Sequence, residues 1–283
     1  MHLSTRQKMA VARSLGRLVR LIRALGGQFS SEVACRRRGV RWSLDLDEGV
    51  QLAIYLSVYE RSTGRALVRL APENAVVIDI GANIGAQALP LARRLGPGSR
   101  VIAVEPADAA LSRLRQNRDM NPELADRVTL VHQALGSGDS PLPDTFYARW
   151  PLEPVATVHP VHRGALERST AVSSTLDQLV DELRLSRVDL IKLDVDGYEC
   201  AVLEGATETL ARYRPTVVLE WCPYLLREHG ESPGRLVGLL TRHGYRFYDE
   251  RSFMPLASSS TGLERAVPKG GGLNVVASVS PLL

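Results

Sequence analysis

Residues 76–85, with the sequence Val-Val-Ile-Asp-Ile-Gly-Ala-Asn-Ile-Gly, constrain the fold more than any other stretch of the chain. β-branched apolar residues around one Asp are typical of a strand that is buried on both faces in a parallel sheet. Gly81 and Gly85 allow the backbone to approach a ligand closely, and residues 86–95 continue as an apolar helix. This strand, turn and helix predict a ligand cavity at the carboxyl end of the strand.

The residues of this turn indicate a cationic ligand. A dinucleotide-binding turn has the form Gly-x-Gly-x-x-Gly, whereas here Asn83 replaces the middle glycine and Asp79 lies two residues before Gly81. The form Asp-x-Gly-x-x-x-Gly resembles the first motif of the class I methyltransferases, which bind S-adenosylmethionine. The sulfonium and amino groups of that cofactor are both positive. The alternative interpretation is a turn that only packs a helix on a strand.

Two further strands complete the predicted cofactor site. Residues 100–104 form a buried strand that ends in Glu105 and Pro106, and an acid at this point is placed to accept both hydroxyls of a ribose. Residues 128–134 form the third strand, and we expect Gln133 and Ala134 to lie along the edge of an adenine ring.

Acids also follow the fourth and fifth predicted strands. Residues 188–193 deliver Asp194 and Asp196 to the same end of the sheet, with Glu199 in the first turn of the next helix, and residues 215–219 end in Glu220. Neighbouring strands lie about 4.8 Å apart, so Asp194 and Glu220 are candidate ligands for one Mg²⁺, which prefers oxygen. Asp194 is also a candidate contact of the cofactor. Glu199 is a candidate catalytic acid, and capping of the helix N-terminus is its alternative role.

The charge of the chain is unevenly distributed. Of 35 Lys and Arg residues, 10 lie in residues 1–41, which hold only one of the 31 acids, Glu32. The rest of the chain is therefore mildly acidic, which disfavours a nucleic-acid substrate.

Three widely spaced cysteines indicate a reducing compartment, and no apolar run is long enough to cross a membrane. We expect a cytoplasmic protein.

The N-terminal 70 residues are predicted to form an appendage to the domain of residues 71–283. A basic amphipathic helix over residues 6–25 carries an apolar stripe of Val11, Leu15, Leu18, Ile22 and Leu25. We expect this stripe to pack on the chain's own core or on a partner subunit, as in a homodimer; binding to an anionic membrane or polymer is the alternative. A hairpin over residues 31–46 and a helix over residues 49–69 follow.

The region from residue 136 to 170 lacks periodicity and reads as one long loop, which is usually functional or mobile. Trp150, His159 and His162 in this loop are candidate contacts of an acceptor. The chain then closes with strands over residues 245–248 and 274–278, which predict an antiparallel hairpin at the edge of the sheet.

Four blocks together identify a family. Residues 77–85 (Val-Ile-Asp-Ile-Gly-Ala-Asn-Ile-Gly), 101–106 (Val-Ile-Ala-Val-Glu-Pro), 174–179 (Ser-Thr-Leu-Asp-Gln-Leu) and 189–206 (Asp-Leu-Ile-Lys-Leu-Asp-Val-Asp-Gly-Tyr-Glu-Cys-Ala-Val-Leu-Glu-Gly-Ala) resemble the FkbM-type methyltransferases. The resemblance covers about residues 75–223.

The resemblance implies a Rossmann-like α/β fold with a mostly parallel seven-stranded sheet. It also implies an S-adenosylmethionine-dependent O-methyltransferase acting on sugars or polyketides. Asp79, Gly81, Asn83, Gly85 and Glu105 match the cofactor motifs, with Ala82 inside the first of them. Asp196 stands where the family usually has Glu, which shortens that carboxylate. A narrower resemblance, to a sugar 1-O-methyltransferase of methylmannose polysaccharide synthesis, suggests a mannoside acceptor.

An O-methyltransferase needs help to remove the proton of its acceptor hydroxyl. We expect Asp194, Glu220 and Asp196 to act as metal ligands or electrostatic partners and His229 to act as the base; a surface histidine is the alternative for His229.

Other hypotheses for the function are a nucleic-acid methyltransferase and a non-catalytic cofactor-binding subunit. The first is disfavoured because Asp-Val-Asp-Gly replaces the Pro-Pro-aromatic motif of the amine methylases, and the second because a scaffold does not need acids at four strand ends.

Overall fold

The computed structural model describes residues 5–139, 142–153, 158–159, 164–265, 267 and 271–282. Its N-terminal elements are α1 (Thr5–Leu25), β1 (Glu32–Arg37), β2 (Val40–Asp45), α2 (Gly49–Tyr55) and α3 (Arg61–Leu70). The first helix and the β1–β2 hairpin confirm the predictions. The single helix expected over residues 49–69 is wrong, because left-handed residues at Ser57 and Glu60 break it between α2 and α3.

The remainder of the chain alternates strands and helices. Its elements are β3 (Val76–Ile80), α4 (Ala88–Arg94), β4 (Arg100–Val104), α5 (Asp108–Asp119), β5 (Val128–Val131), β6 (Gln133–Leu135), β7 (Thr145–Arg149), β8 (Ala165–Arg168), β9 (Val172–Ser174), α6 (Leu176–Glu182), β10 (Leu190–Leu193), α7 (Glu199–Glu204), α8 (Thr207–Tyr213), β11 (Thr216–Trp221), α9 (Pro223–Glu228), α10 (Pro233–Thr241), β12 (Arg246–Asp249), α11 (Ser260–Glu264) and β13 (Leu273–Ser278).

Within the described residues, the central sheet has seven strands in the order β12-β13-β11-β10-β3-β4-β5. The strands from β11 to β5 pair in parallel, and β13 runs antiparallel between β11 and β12. This arrangement confirms the predicted class I methyltransferase architecture with its antiparallel C-terminal strand pair. The order also places β3 next to β10. The predicted site residues that follow these two strands, Gly81 and Asp194, therefore lie at the same edge of the sheet although they are far apart in the sequence.

Two predictions for the middle of the chain are wrong. The third strand is interrupted at His132, whose ring bonds the Pro106 carbonyl at 3.1 Å, and the following β6 pairs with β9 instead of the central sheet. The loop expected over residues 136–170 contains the β7–β8 hairpin.

Alternation along the strands creates two cores. Ile78 and Ile80 face a core built with α6, α7 and α10, whereas Val77 faces a core shared with α4, α5 and the N-terminal elements. From the N-terminal segment, Trp42 and Leu67 are each 1% exposed in this second core. The division into an appendage of residues 1–70 and a domain of residues 71–283 stays a prediction. No described helix is long and apolar enough to cross a membrane.

Candidate active site

A cavity of about 1130 Å³ opens at the carboxyl ends of the central strands. Pockets for one small ligand typically measure about 300–1,000 Å³, so this cavity has room for a cofactor and an acceptor together. The predicted site residues that line it are Gly81, Asn83, Glu105, Pro106, Gln133, Ala134, Asp194, Asp196, Glu220 and His229. Those found outside its lining are Asp79, Ala82, Gly85 and Glu199.

The turn after β3 brings three strand ends together. Gly81 has a φ of +81°, and a Cβ on it would lie 1.8 Å from the carbonyl oxygen of Asp194. Its amide donates to the carbonyl of Val104 at 3.0 Å. Only glycine fits this position. Gly85 serves packing instead, because a Cβ there would lie 2.6 Å from Leu114 Cδ1.

Glu105 is fixed at the wall of the cavity and is 4% exposed. Its Oε2 accepts from the Asn83 amide at 2.7 Å, and its Oε1 accepts from the Ala107 amide at 3.0 Å. Burial raises the pKa of Glu105 to about 7, although these amide hydrogen bonds act to lower it. Each carboxylate oxygen has a further lone pair, which suits the diol of a ribose.

A buried lysine that the sequence analysis missed lies beneath the cavity floor. Lys192 is aligned with Asp79 across β10 and β3, and its Nζ lies 3.4 Å from Asp79 Oδ1 and 3.1 Å from Asp194 Oδ2. Burial acts to lower the pKa of Lys192, but the charges of Asp194 and Asp79 outweigh it and raise the pKa. Asp79 therefore holds Lys192, which holds Asp194 at the cavity. Asp79 lies outside the cavity lining, so this geometry favours a contact of Asp79 with Lys192 over the expected direct contact with the cofactor.

Two more cavity residues come from the break between α2 and α3. Ser57 and Glu60 have φ values of +59° and +31°, a conformation that non-glycine residues adopt at a cost and often at functional sites. The break turns Tyr59 and Glu60 into the cavity, where the Glu60 carboxylate accepts from Gln87 Nε2 at 3.2 Å. Burial raises the pKa of Glu60 to about 7, and the charge of Asp194 adds to the effect.

The loop after β10 separates the roles of two predicted catalytic acids. Asp196 lines the cavity, and burial, with the Asp194 charge, raises its pKa well above the ordinary value. Glu199 is 1% exposed, and its Oε1 accepts from the amides of Val195 at 3.2 Å and Gly197 at 3.3 Å. Glu199 therefore shapes the loop from beneath, which agrees with the capping alternative more than with a catalytic role.

The two predicted metal ligands do not by themselves form a complete Mg²⁺ site. One oxygen of Asp194 contacts the Lys192 ammonium at 3.1 Å. Burial, with the Asp194 charge, raises the pKa of Glu220 well above the ordinary value. Across the described part of the chain, no three His, Cys, Asp or Glu side chains are grouped to hold a metal ion.

Aromatic side chains form the wall around His229. Its ring centroid lies 4.2 Å from that of Tyr198, which in turn lies 6.0 Å from that of Phe146 in an edge-on contact. Burial lowers the pKa of His229, while the backbone carbonyl of Asp196 acts to raise it. A neutral imidazole can accept a proton at neutral pH.

The three loop candidates have different positions. Trp150 lines the cavity. His159 is not part of the cavity lining; it contacts Glu228 at 3.0 Å and packs behind the lining residue Tyr147, with ring centroids 5.7 Å apart. His162 lies outside the described residues.

Comparison with known proteins finds similar methyltransferases. The sequence model of the methyltransferase FkbM domain matches residues 79–247, more than half of the chain. Methyltransferase sdnD of Sordaria araneosa is 30% identical over 190 residues, which are 57% of this chain and 72% of that protein. Methyltransferase 1 of Beauveria bassiana is 30% identical over 168 residues, 53% of this chain and 66% of that protein. The hexuronic acid methyltransferase AglP of Haloferax volcanii is 28% identical over 152 residues, 53% of this chain and 58% of that protein.

A solved FkbM methyltransferase from Methylobacillus flagellatus is 18% identical, covers 74% of this chain and 44% of that chain, and has a TM-score of 0.42.

Proposed function

Since the chain belongs to the FkbM methyltransferase family, we propose that it is an S-adenosylmethionine-dependent O-methyltransferase. The acceptor group is a hydroxyl of a sugar or oligosaccharide, such as a mannoside. A hydroxyl of a polyketide natural product is the second candidate. The acceptor is a small molecule or an oligosaccharide and not a nucleic acid.

The acidic lining of the cavity is the observation that carries this proposal. Glu60, Glu105, Asp194, Asp196 and Glu220 all face the same space. Charges interact several times more strongly in such a buried site than in bulk water. A positive ligand favours the ionised form of a buried acid, so the lining suits the sulfonium and ammonium groups of S-adenosylmethionine better than a phosphate ligand.

The bound cofactor supplies an electrophilic methyl group. Glu105 would hold its ribose end, and Asp194, which contacts Lys192, would attract its positive end. His229 takes the proton of the acceptor hydroxyl, because its neutral imidazole lines the same cavity. Holding the reacting atoms in line provides most of the acceleration in such a transfer.

Two observations favour a sugar acceptor. The aromatic side chains of Phe146, Tyr147, Trp150 and Tyr198 line the cavity together with carboxylates, a mixture that matches the apolar face and polar edge of a pyranose. The relative AglP is named as a methyltransferase of hexuronic acid.

Methyl transfer tests the proposal directly. The protein is incubated with trideuteromethyl S-adenosylmethionine and, separately, methyl α-mannoside, methyl β-glucuronide and a hydroxylated macrolactone, each with and without chelator. We expect mass spectrometry to find the label on a glycoside hydroxyl, with turnover unaffected by chelator. His229→Gln should lower kcat by about 10²–10⁴-fold, while His243→Gln, outside the cavity lining, leaves it nearly unchanged.

Other outcomes separate the alternatives. Label on the macrolactone alone would favour the natural-product reading, and label on added RNA would favour a nucleic-acid substrate. Loss of turnover in chelator with rescue by Mg²⁺ would restore the metal hypothesis. Cofactor binding without any labelled product would favour a non-catalytic subunit.

A further inference from the structure

The predicted apolar stripe of α1 is exposed. Its residues Val11, Leu15, Leu18, Ile22 and Leu25 are 39% to 82% exposed, so the expectation that they pack on the chain's own core is wrong. A different face of the helix packs there.

That inner face consists of Met9, Ala12, Gly16 and Val19. Met9, Ala12 and Val19 join a small core with Leu52, and a Cβ on Gly16 would lie 2.9 Å from Leu152 Cδ1. The helix is therefore held close to the body with its apolar stripe turned outward.

The stripe leads into the cavity. Val11 and Leu15 belong to the stripe and also line the cavity. Two exposed apolar residues from other parts of the chain line it as well: Val58 is 54% exposed and Leu166 is 50% exposed. The mouth is thus apolar, while the floor carries the acids described above. An exposed apolar patch of this kind commonly marks a binding surface.

We infer that the acceptor is amphipathic: its hydroxyl-bearing end reaches the acidic floor, and an aliphatic chain attached to it lies over the apolar mouth and along the α1 stripe. This inference rests on the proposed function and narrows its substrate class. Between Val11 and Leu25 the helix rises about 21 Å at 1.5 Å per residue, so the stripe can cover a long alkyl chain.

The geometry favours an acceptor chain over the two other occupants. A second copy of the helix would use the whole stripe as a coiled-coil seam, yet Val11 and Leu15 form part of the cavity mouth. An anionic membrane would use the arginines of α1. However, the guanidinium of Arg20 is paired with Asp47 and Glu153, and that of Arg23 donates to the Ser30 carbonyl at 3.3 Å. Of the arginine side chains described in α1, these contacts leave Arg13 and Arg17 for a membrane surface.

Binding of alkyl glucosides tests the inference without requiring turnover. Methyl, hexyl, heptyl and octyl β-D-glucoside are titrated, below their micellar concentrations, into protein saturated with S-adenosylhomocysteine. Trp150 in the cavity reports binding by fluorescence, since Trp42 and Trp221 are 1% and 0% exposed. We expect the Kd to fall about two- to fourfold for each added methylene, the upper value corresponding to full burial.

Variants locate the chain on the protein. Leu15→Ser and Leu18→Ser should weaken octyl glucoside binding and flatten the dependence on chain length. Leu18→Ser, which lies outside the cavity lining, should leave methyl glucoside binding the same. Val172→Ser is the matched control, because Val172 is 69% exposed and lies outside the cavity lining. Thermal unfolding of each variant checks that the fold is retained.

A Kd that does not depend on chain length, or that Leu15→Ser and Leu18→Ser leave unchanged, would overturn the inference. So would a dimer in light scattering that Leu18→Ser dissociates, since the stripe would then be an interface between copies. Failure of S-adenosylmethionine to bind in calorimetry would remove the proposed function itself, whereas methylation of a methyl glycoside without any chain-length effect removes only this inference.

Discussion

Replacing Lys192 with Met should destabilise the protein strongly and in a pH-dependent manner. Met keeps the volume of the side chain but leaves Asp79 and Asp194 without the ammonium that lies 3.4 and 3.1 Å from them. At an effective dielectric constant of about 20, each of these contacts is worth about 5 kcal/mol of attraction. Desolvation of the three charges offsets much of this, so we expect a loss of about 3–5 kcal/mol in the free energy of unfolding near pH 8.

The sign of the pH dependence follows from the carboxyl that is left behind. Burial already raises the pKa of Asp79 above its ordinary value, and the charge of Lys192 acts to lower it. Removal of Lys192 therefore raises the pKa of Asp79 in the folded state further above its unfolded value. The folded variant then binds protons more tightly than the unfolded chain, so its stability falls as the pH increases. The destabilisation should therefore be smaller at pH 5 than at pH 8, and Asp79→Asn should recover part of it in the double variant.

Urea unfolding followed by circular dichroism measures these differences. Arg227→Met is the control, since the pair of Arg227 with Glu264 is largely exposed and such pairs contribute about 1 kcal/mol or less. A loss below about 1 kcal/mol for Lys192→Met would refute the reasoning, because it falls in the range of an exposed pair. Equal losses at pH 5 and pH 8 would refute the assigned role of Asp79.

Three further predictions concern the cavity. Burial raises the pKa values of Glu105 and Glu199 to about 7, so the folded apoprotein holds these protons more tightly than the unfolded chain. Their contribution to the free energy of unfolding is complete below about pH 4.3 and declines until about pH 7. Urea unfolding at pH 5 and pH 8 measures this decline in wild type and in the double variant Glu105→Gln, Glu199→Gln. An equal loss of stability between the two pH values in both proteins would contradict the prediction. Gly81→Ala should cost about 2–5 kcal/mol through backbone strain and its clash with the Asp194 carbonyl; a loss under 1 kcal/mol in the same unfolding assay would contradict the close approach of the two strands. At pH 8, above the raised pKa of Glu60 of about 7, Glu60→Gln should weaken S-adenosylmethionine binding about three- to tenfold in calorimetry by removing one negative charge; an unchanged Kd would place Glu60 too far from the cofactor to affect its binding.

The sequence predicts the central sheet well because its strands are short, mostly apolar and buried runs. The parallel strands β3, β4, β10 and β11 lie where residues 76–80, 100–104, 188–193 and 215–220 indicate them. Breaks without glycine or proline are harder to foresee. The chain turns at Ser57 and Glu60 in left-handed conformations that the apolar periodicity of residues 49–69 does not signal.

For the site, the sequence predicts which acids meet but not where each side chain points. Asp194, Asp196 and Glu220 line the cavity, while Glu199 and Asp79 lie beneath it. The contact of Lys192 with Asp194 can be foreseen in part, because Lys192 precedes Asp194 by two residues at the end of β10. The contribution of Glu60 depends on how α3 packs against the sheet, and no local pattern contains that information.

Calorimetric titration of S-adenosylmethionine tests the central claim most directly. Wild type and Glu105→Gln are compared, with Glu73→Gln as the control because Glu73 is exposed and outside the cavity lining. We predict micromolar binding to wild type and to Glu73→Gln and at least about tenfold weaker binding to Glu105→Gln, which corresponds to about 1.4 kcal/mol. Equal affinity of all three proteins would contradict the assigned cofactor site, and no binding to wild type would contradict the methyltransferase function.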